Sequence, residues 1–320
     1  MSPTRHFLTG AGLVLLLAAI PVATYLSDAV FTVTFATRIL ILATAAVSLN
    51  LVLGYGGLLS LCHSAFVGIG AYVVGIASYH AFNDGQAWMA NGFLQLVAVL
   101  AFSSIVAGII GAISLRTKGI YFLMITMAFG QTLYLAAVGA ELYGGDDGMT
   151  IFQPSLFGSF ALEGRYVMYI AAAILFCLAV LLVDRLARSR FGLVLQAAKM
   201  NETRVRALGY DPVRVRLLAF VISGALAGLA GFLLANYTQF VSPGELSWIR
   251  SGDLVIMVVL GGLGLSLGPL FGAAFLLIVE ELAPGITSYW PIIVGVLVLL
   301  VALYAPRGLG GLLSSEARHD

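Results

Sequence analysis

The chain has 320 residues, 61% hydrophobic and 10% charged, with 16 Lys and Arg against 15 Asp and Glu for a net charge of +1. A mean hydropathy of +1.03 is far above what a soluble domain can hide in one core, so the composition defines an all-α polytopic membrane protein. The balanced charge excludes nucleic acid as an expected partner, and Cys62 and Cys177, both inside apolar runs, support neither a disulfide framework nor a thiolate metal site.

In chain order, apolar runs long enough to cross a hydrocarbon core of about 30 Å predict spans near 7–26, 30–53, 62–80, 93–115, 119–139, 166–184, 217–237, 251–265, 268–283 and 288–304. The run after Arg5 lacks a small-residue cleavage site and is read as a retained first span rather than a signal peptide. The whole of 1–320 is one transmembrane domain of about ten helices. Gly and Pro interrupt the pattern at Leu58–Ser64 and Gly261–Pro269, so about eight full spans with broken or re-entrant helices is the alternative.

The least membrane-like stretch is 184–216, which holds eight of the 16 basic residues. By the positive-inside tendency it faces the cytoplasm, together with Arg5, the Arg116 and Lys118 pair and Arg307. Ten spans place both termini on that side and send loops 81–92, 140–165 and 238–250 to the far side, where Arg165 and Arg250 are exceptions. Such a basic island outside the bilayer is expected to dock something.

A faint internal repeat relates Gly57-Leu-Leu-Ser60-Leu-Cys-His-Ser64 to Gly244-Glu-Leu-Ser247-Trp-Ile-Arg-Ser251, with Gly75 and Gly262 at the same offset. An odd number of spans separates the copies, as in an inverted-topology repeat; in a Gly-, Leu- and Ser-rich chain the same matches arise by chance. The runs GIGAYVVG at 68–75, GALAGLAG at 224–231 and GGLGLSLGPLFGAA at 261–274 space small residues for close helix packing. At Gly268 and Pro269 the alternative is a helix broken beside a pathway.

The sequence lacks a Gly-x-x-x-x-Gly-Lys-Ser/Thr phosphate loop and any His or carboxylate set at metal-ligand or triad spacing, so neither ATP nor a metal is expected on this chain. Few ionisable residues lie at membrane depth. His63, Asp253, Glu280 and Glu281 are the candidates for a relay, with helix ends or interfacial snorkelling as the plain alternative. Within the basic island, Gln196 to Gly209 reads as one short amphipathic helix ended by Gly209, with Ala197, Met200, Val205 and Leu208 apolar and Lys199, Glu202, Arg204 and Arg206 polar. An ordinary connecting helix shows the same pattern.

The stretches SLNLVLGYGGLLSLCHSAFVGIGAY at 48–72, LRTKGIYFLMITMAFGQ at 115–131 and GGDDGM at 144–149, with the cytoplasmic helix and the two glycine runs after it, resemble the permease subunits of branched-chain amino acid ABC transporters of the LivM type, from about Thr37 to Gly311. Cys62 stands where many relatives have Gly. The resemblance implies import across the bacterial inner membrane by a non-catalytic subunit. It implies as partners a homologous LivH-type permease, two cytoplasmic ATP-binding subunits holding ATP and Mg, and a periplasmic substrate-binding protein. It makes 196–209 the coupling element toward the ATPases, through Gln196, Ala198, Lys199, Asn201, Glu202, Arg204, Arg206, Ala207, Leu208 and Gly209. The translocation pathway is expected at Ser60, His63, Ser64, Ser247 and Ser251, unless those hydroxyls bond their own helices. Binding-protein contacts are expected at Tyr143, Asp146, Asp147, Glu245 and Arg250. The rival reading is an ion-coupled secondary transporter of a small organic solute; an intramembrane enzyme has no reactive constellation to support it. The residues do not choose among branched-chain amino acids, urea, short amides and aromatic acids.

Overall fold

The computed structural model describes residues 30–158, 160–285, 289–304 and 308–313, so the predicted first span, Arg5 and Arg307 lie outside the described residues. Helix α1 (Val30–Asn50) continues through one π-helical turn, Leu51–Tyr55; α2 is His63–Asn83, α3 Gly92–Ser114, α4 Ile120–Val138 and α5 Arg165–Arg188. After two short helices, α6 (Arg190–Met200) and α7 (Glu202–Ala207), come α8 (Pro212–Thr238), α9 (Trp248–Gly261), α10 (Gly268–Leu282), α11 (Trp290–Tyr304) and α12 (Gly308–Leu313). Among the described residues seven helices are long and apolar enough to cross a membrane; α9 and α11, of 14 and 15 residues, are shorter.

The predicted spans from 30 to 304 each coincide with a helix. Boundaries follow local chemistry: Asn91 caps α3 by accepting from Phe93 N, and Asp211 caps α8 by accepting from Val213 and Arg214 with Pro212 in the first turn. Gly262 (φ 111) and Gly264 (φ 76) carry the turn that separates α9 from α10, as the Gly-Pro reading anticipates.

Helices α1, α2 and α8 form the centre. Helix α8 packs against α1, α2 and α3; α1 in turn packs against α9 and α10 as well as α5. Polar residues on buried α1 are satisfied within the helix, since Thr37 donates to Val33 O and Thr44 to Leu40 O, both at 2.8 Å. At the periphery α3 exposes Val97, Ile105 and Ile109, the apolar face that lipid requires.

Connections sort to two ends. At one end Lys199 reaches Gly54, Lys118 reaches Glu202, Asn50 holds the 262–267 turn and Gly308 approaches Gly262. At the other, β1 (Met149–Thr150) pairs antiparallel with β4 (Phe240–Val241), β2 (Leu156–Phe157) forms a hairpin with β3 (Phe160–Ala161), and Ser155 N–H donates to Asn236 Oδ1. The described basic segments thus share one end, and loops 84–91 and 139–164 lie at the opposite one. Loop 238–250 departs from expectation, because from Trp248 it is already helix α9.

The first two glycine runs face each other where α2 crosses α8. A Cβ on Gly231 would lie 1.8 Å from Val67 O, and one on Gly70 would lie 2.0 Å from Gly228 O, so the helices touch backbone to backbone. Gly231→Ala is therefore expected to cost about 1–3 kcal/mol or more, read as a lowered melting temperature in detergent. Gly285→Ala, with nothing within 4 Å, leaves it unchanged.

Candidate functional site

Two segments that interrupt the α-helices enter the molecule from opposite ends and meet inside it. Residues 56–62 return from the end of α1 before α2 begins at His63, and residues 242–247 descend from β4 before α9 begins at Trp248. Ser247 caps α9 by accepting from Arg250 N. The meeting point is deep: Ser223, against which His63 sits, lies roughly 16 Å along α8 from Pro212, and Ser251 lies roughly 15 Å along α9 from Gly261. Leu246 packs onto Gly68, where an added Cβ would meet its Cγ at 2.4 Å.

At the junction Ser64 N–H donates to Ser251 Oγ at 3.1 Å and Ser64 Oγ donates to Ser247 O at 2.7 Å. Because the Ser64 proton is thereby committed, the 2.6 Å contact between the two hydroxyls has Ser251 as donor. Ser60 contacts Cys62 Sγ at 3.3 Å instead. His63 is fully buried; its Nε2 lies 2.7 Å from Ser223 Oγ, which donates to Ser48 O. Nε2 is therefore the protonated nitrogen, and Nδ1 is left without a partner among the described residues. Of the expected pathway set, Ser64, Ser247 and Ser251 bond one another across the two segments; Ser60 and His63 flank them on other partners.

The cytoplasmic element departs from the single helix expected at 196–209. Two helices occupy 190–207, because Asn201 leaves helical geometry (φ −156, ψ 100) and its side chain accepts from Arg204 N to cap α7. The apolar face also differs: Leu195, Ala198 and Val205 are buried, whereas Met200 at 88% and Leu208 at 70% exposure, with Ala197, point outward. Lys199, Asn201, Arg204, Arg206, Ala207 and Gly209 are exposed, and Gln196 is half-buried, donating to Ala187 O. Gly209 (φ 86) ends the second helix in the left-handed region.

Glu202 fastens this element to the body. It is 14% exposed and pairs with Lys118 at 2.8 Å from the α3–α4 loop, Arg206 at 2.7 Å and Arg216 at 3.1 Å on α8; Arg216 also donates to Ala198 O. Hydrogen bonding by Lys118 first, then Arg206 and Arg216, lowers its carboxyl to about 2 despite desolvation. Lys199 Nζ donates to Gly54 O at 2.8 Å on the π-helical turn. Asn50, one turn earlier, accepts from Gly264 N and donates to Leu265 O, while Ser266 donates to Asp184 at 2.9 Å. The sequence reading missed Asn50 and placed Lys118 and Arg216 only as cytoplasmic basic residues, without their bonds to Glu202; the Ser-Leu-Asn run before GYGG was the available signal for Asn50.

At the opposite end Asp146 and Asp147 are exposed and Tyr143 is half-buried, 3.2 Å from His80 Nε2. Glu245 lies in the short 3-10 turn Pro243–Leu246, and Arg250 sits on α9, paired with Asp253 at 3.5 Å.

These features define a multi-pass helical membrane protein with a broken-helix junction at mid-depth and a fastened helical pair at its basic end. Its sequence matches the family described as branched-chain amino acid transport system / permease component over residues 31–303, and the chain belongs to that family. It is 30% identical to the high-affinity branched-chain amino acid transport system permease protein LivM of Escherichia coli (strain K12), over 87% of this chain and 69% of that protein. It is 26% identical to LivH of the same strain over 84% of this chain and 91% of LivH, and 25% identical to the probable LivH of Methanocaldococcus jannaschii over 75% and 70%. No solved structure matches it.

Because the folded-state carboxyl of Glu202 lies below its ordinary 4.5, its contribution is complete above that value and is lost as pH falls toward about 2. Glu202→Gln is expected to destabilise the α6–α7 pair by about 1–3 kcal/mol at pH 7, read as faster amide exchange over 195–208. The difference from wild type vanishes near pH 2.

Proposed function

We propose that this chain is the transmembrane subunit of an ATP-driven importer for branched-chain amino acids or related small polar or amphipathic solutes. Family membership over 31–303 carries the reading, since relatives are named as branched-chain amino acid transport permease proteins. The chain hydrolyses nothing itself. It pairs with a LivH-type permease and docks two cytoplasmic subunits that bind ATP and Mg, and a periplasmic binding protein delivers the solute at the loops bearing Tyr143, Asp146, Asp147 and Glu245. It sits in the bacterial inner membrane with ten spans, both termini cytoplasmic.

The α6–α7 pair is the coupling element, and its exposed Met200 and Leu208 enter the ATPase surface. ATP-induced closure moves the pathway only if this element binds the two ATPase states differently, because equal affinity shifts no equilibrium. A push on α6 reaches the body through Lys199 and Gly54, and from Asn50 it reaches the 262–267 turn. That places the π-helical turn, a common feature of functional sites, between the coupling element and α9.

The segments meeting at Ser64 and Ser251 are two halves of an inverted repeat. Three observations support this. The matched residues are 187 apart and contact each other. Helices α2 and α3 pack on α8 as α9 and α10 pack on α1. The two segments also enter from opposite ends. Ser60, His63, Ser64, Ser247 and Ser251 then mark the closed constriction of the pathway.

The importer is tested by reconstituting both permeases with the ATP-binding subunits and leucine-loaded binding protein. Loaded binding protein is expected to stimulate ATP hydrolysis, and Met200→Glu with Leu208→Glu is expected to abolish that stimulation. Leucine uptake driven by an ion gradient without ATP would instead establish a secondary carrier.

A further inference from the structure

Among the described residues, four charged side chains at membrane depth form ion pairs, on three helices, and Glu281 lies one residue beyond them on α10. Arg38 of α1 pairs with Glu280 of α10 at 3.6 Å, and Arg250 pairs with Asp253 on α9 at 3.5 Å. Helix α9, which carries Arg250 and Asp253, packs against both α1 and α10, which carry Arg38 and Glu280, so the two pairs lie on adjoining helices. Glu280 lies roughly 18 Å along α10 from Gly268, Arg250 roughly 16 Å and Asp253 roughly 12 Å back from Gly261, and Arg38 roughly 12 Å along α1 from Val30. All four therefore fall within the hydrocarbon thickness.

Two properties separate this constellation from the Glu202 clasp. Its side chains are 30–47% exposed, against 13% and 14% for Arg216 and Glu202, and its pairs are longer than the clasp's 2.7–3.1 Å. Charges so open cannot face lipid, where each would cost several kcal/mol. They face water or protein. Two cations and two anions, loosely paired, leave each group able to exchange its partner for a ligand carrying the complementary charge. Exposed Trp248 and Ile249 directly precede Arg250 on the first turn of α9 and put apolar surface beside it, and Arg250 is followed directly by junction residue Ser251.

We propose that Arg38, Arg250, Asp253 and Glu280 form a transit site for a zwitterionic amino acid, the two guanidinium groups taking its carboxylate and the two carboxylates its ammonium. The site opens toward the pathway between this chain and its paired permease, with Trp248 and Ile249 against the solute's apolar side chain. It rests on the importer reading above and narrows the solute from small polar molecules in general to those bearing both charges.

The test measures leucine uptake by the complete importer in liposomes, at saturating binding protein. Glu280→Gln and Asp253→Asn are each expected to lower uptake by about tenfold or more, as loss of a charge-assisted contact made during passage would. Arg38→Glu combined with Glu280→Arg keeps an ion pair but reverses its polarity, and is expected to remain about tenfold down. Recovery of the reversed pair to wild-type uptake would overturn the proposal, because it would make the pair a strut between α1 and α10. So would wild-type uptake by both single variants. A wild-type complex whose ATPase ignores leucine-loaded binding protein sinks the importer reading itself, a failure distinct from these.

Discussion

Everything in this fold depends on how the backbone is satisfied where it stops being helical inside a membrane. Residues 56–62 and 242–247 break the α-helical hydrogen-bond ladder at a depth where water is scarce, and each unpaired backbone group there is costly. The contact of Ser64 with Ser247 and Ser251 is the solution. Ser64 N–H, an orphan at the start of α2, donates to Ser251 Oγ, and Ser247 O, which accepts the first helical bond of α9 from Ser251 N, takes a second hydrogen bond from Ser64 Oγ. Each break thus completes the other, and neither segment could hold its place alone.

The glycines follow from the same constraint. Helices that must hold a break in place gain little by burying apolar surface away from lipid, so they approach their neighbours closely. Gly70 and Gly231 let α2 meet α8 at backbone distance, and Gly272 does the same for α10 against Met257 O, where a Cβ would lie at 1.8 Å. Packing and helix breaking, alternatives when the glycine runs are read as sequence, are therefore two aspects of one design. The third run serves both: its Gly262 and Gly264 turn the chain, and its Gly268 and Gly272 pack.

Much of this was legible in the sequence because membrane physics writes it in plain composition. Apolar length located the long described helices and α9 to α11, and Lys and Arg clustering sorted their ends. The match of Gly57–Ser64 to Gly244–Ser251 identified segments that touch, although an eight-residue similarity carries no distance. What stayed illegible depends on partners remote in sequence. Asn201 looks like one polar residue in an amphipathic run, and its departure from helix shows only in the cap its side chain forms with Arg204 N. Arg38 hid in an apolar run, since its significance appears only when Glu280 comes alongside. Arg250 read as an outer-loop residue because the apolar run gives a span from 251, whereas the helix already begins at Trp248, where Ser247 caps it.

The Glu202 clasp and the mid-membrane quartet make opposite uses of the same residue types. Glu202 is nearly enclosed and saturated by three cations, so its value is mechanical: it fixes α7 to α8 and to the α3–α4 loop, and force on one is felt by the others. A helical pair that transmits motion must be stiff along that path yet expose the face that receives it, and exposed Met200 and Leu208 meet that second requirement. The mid-membrane quartet is loose, balanced and open. A saturated cluster there would be inert to a passing solute, and an unbalanced one would trap an ion. A neutral set of unsaturated pairs offers a zwitterion replacement contacts without a deep well, which is the condition for rapid passage.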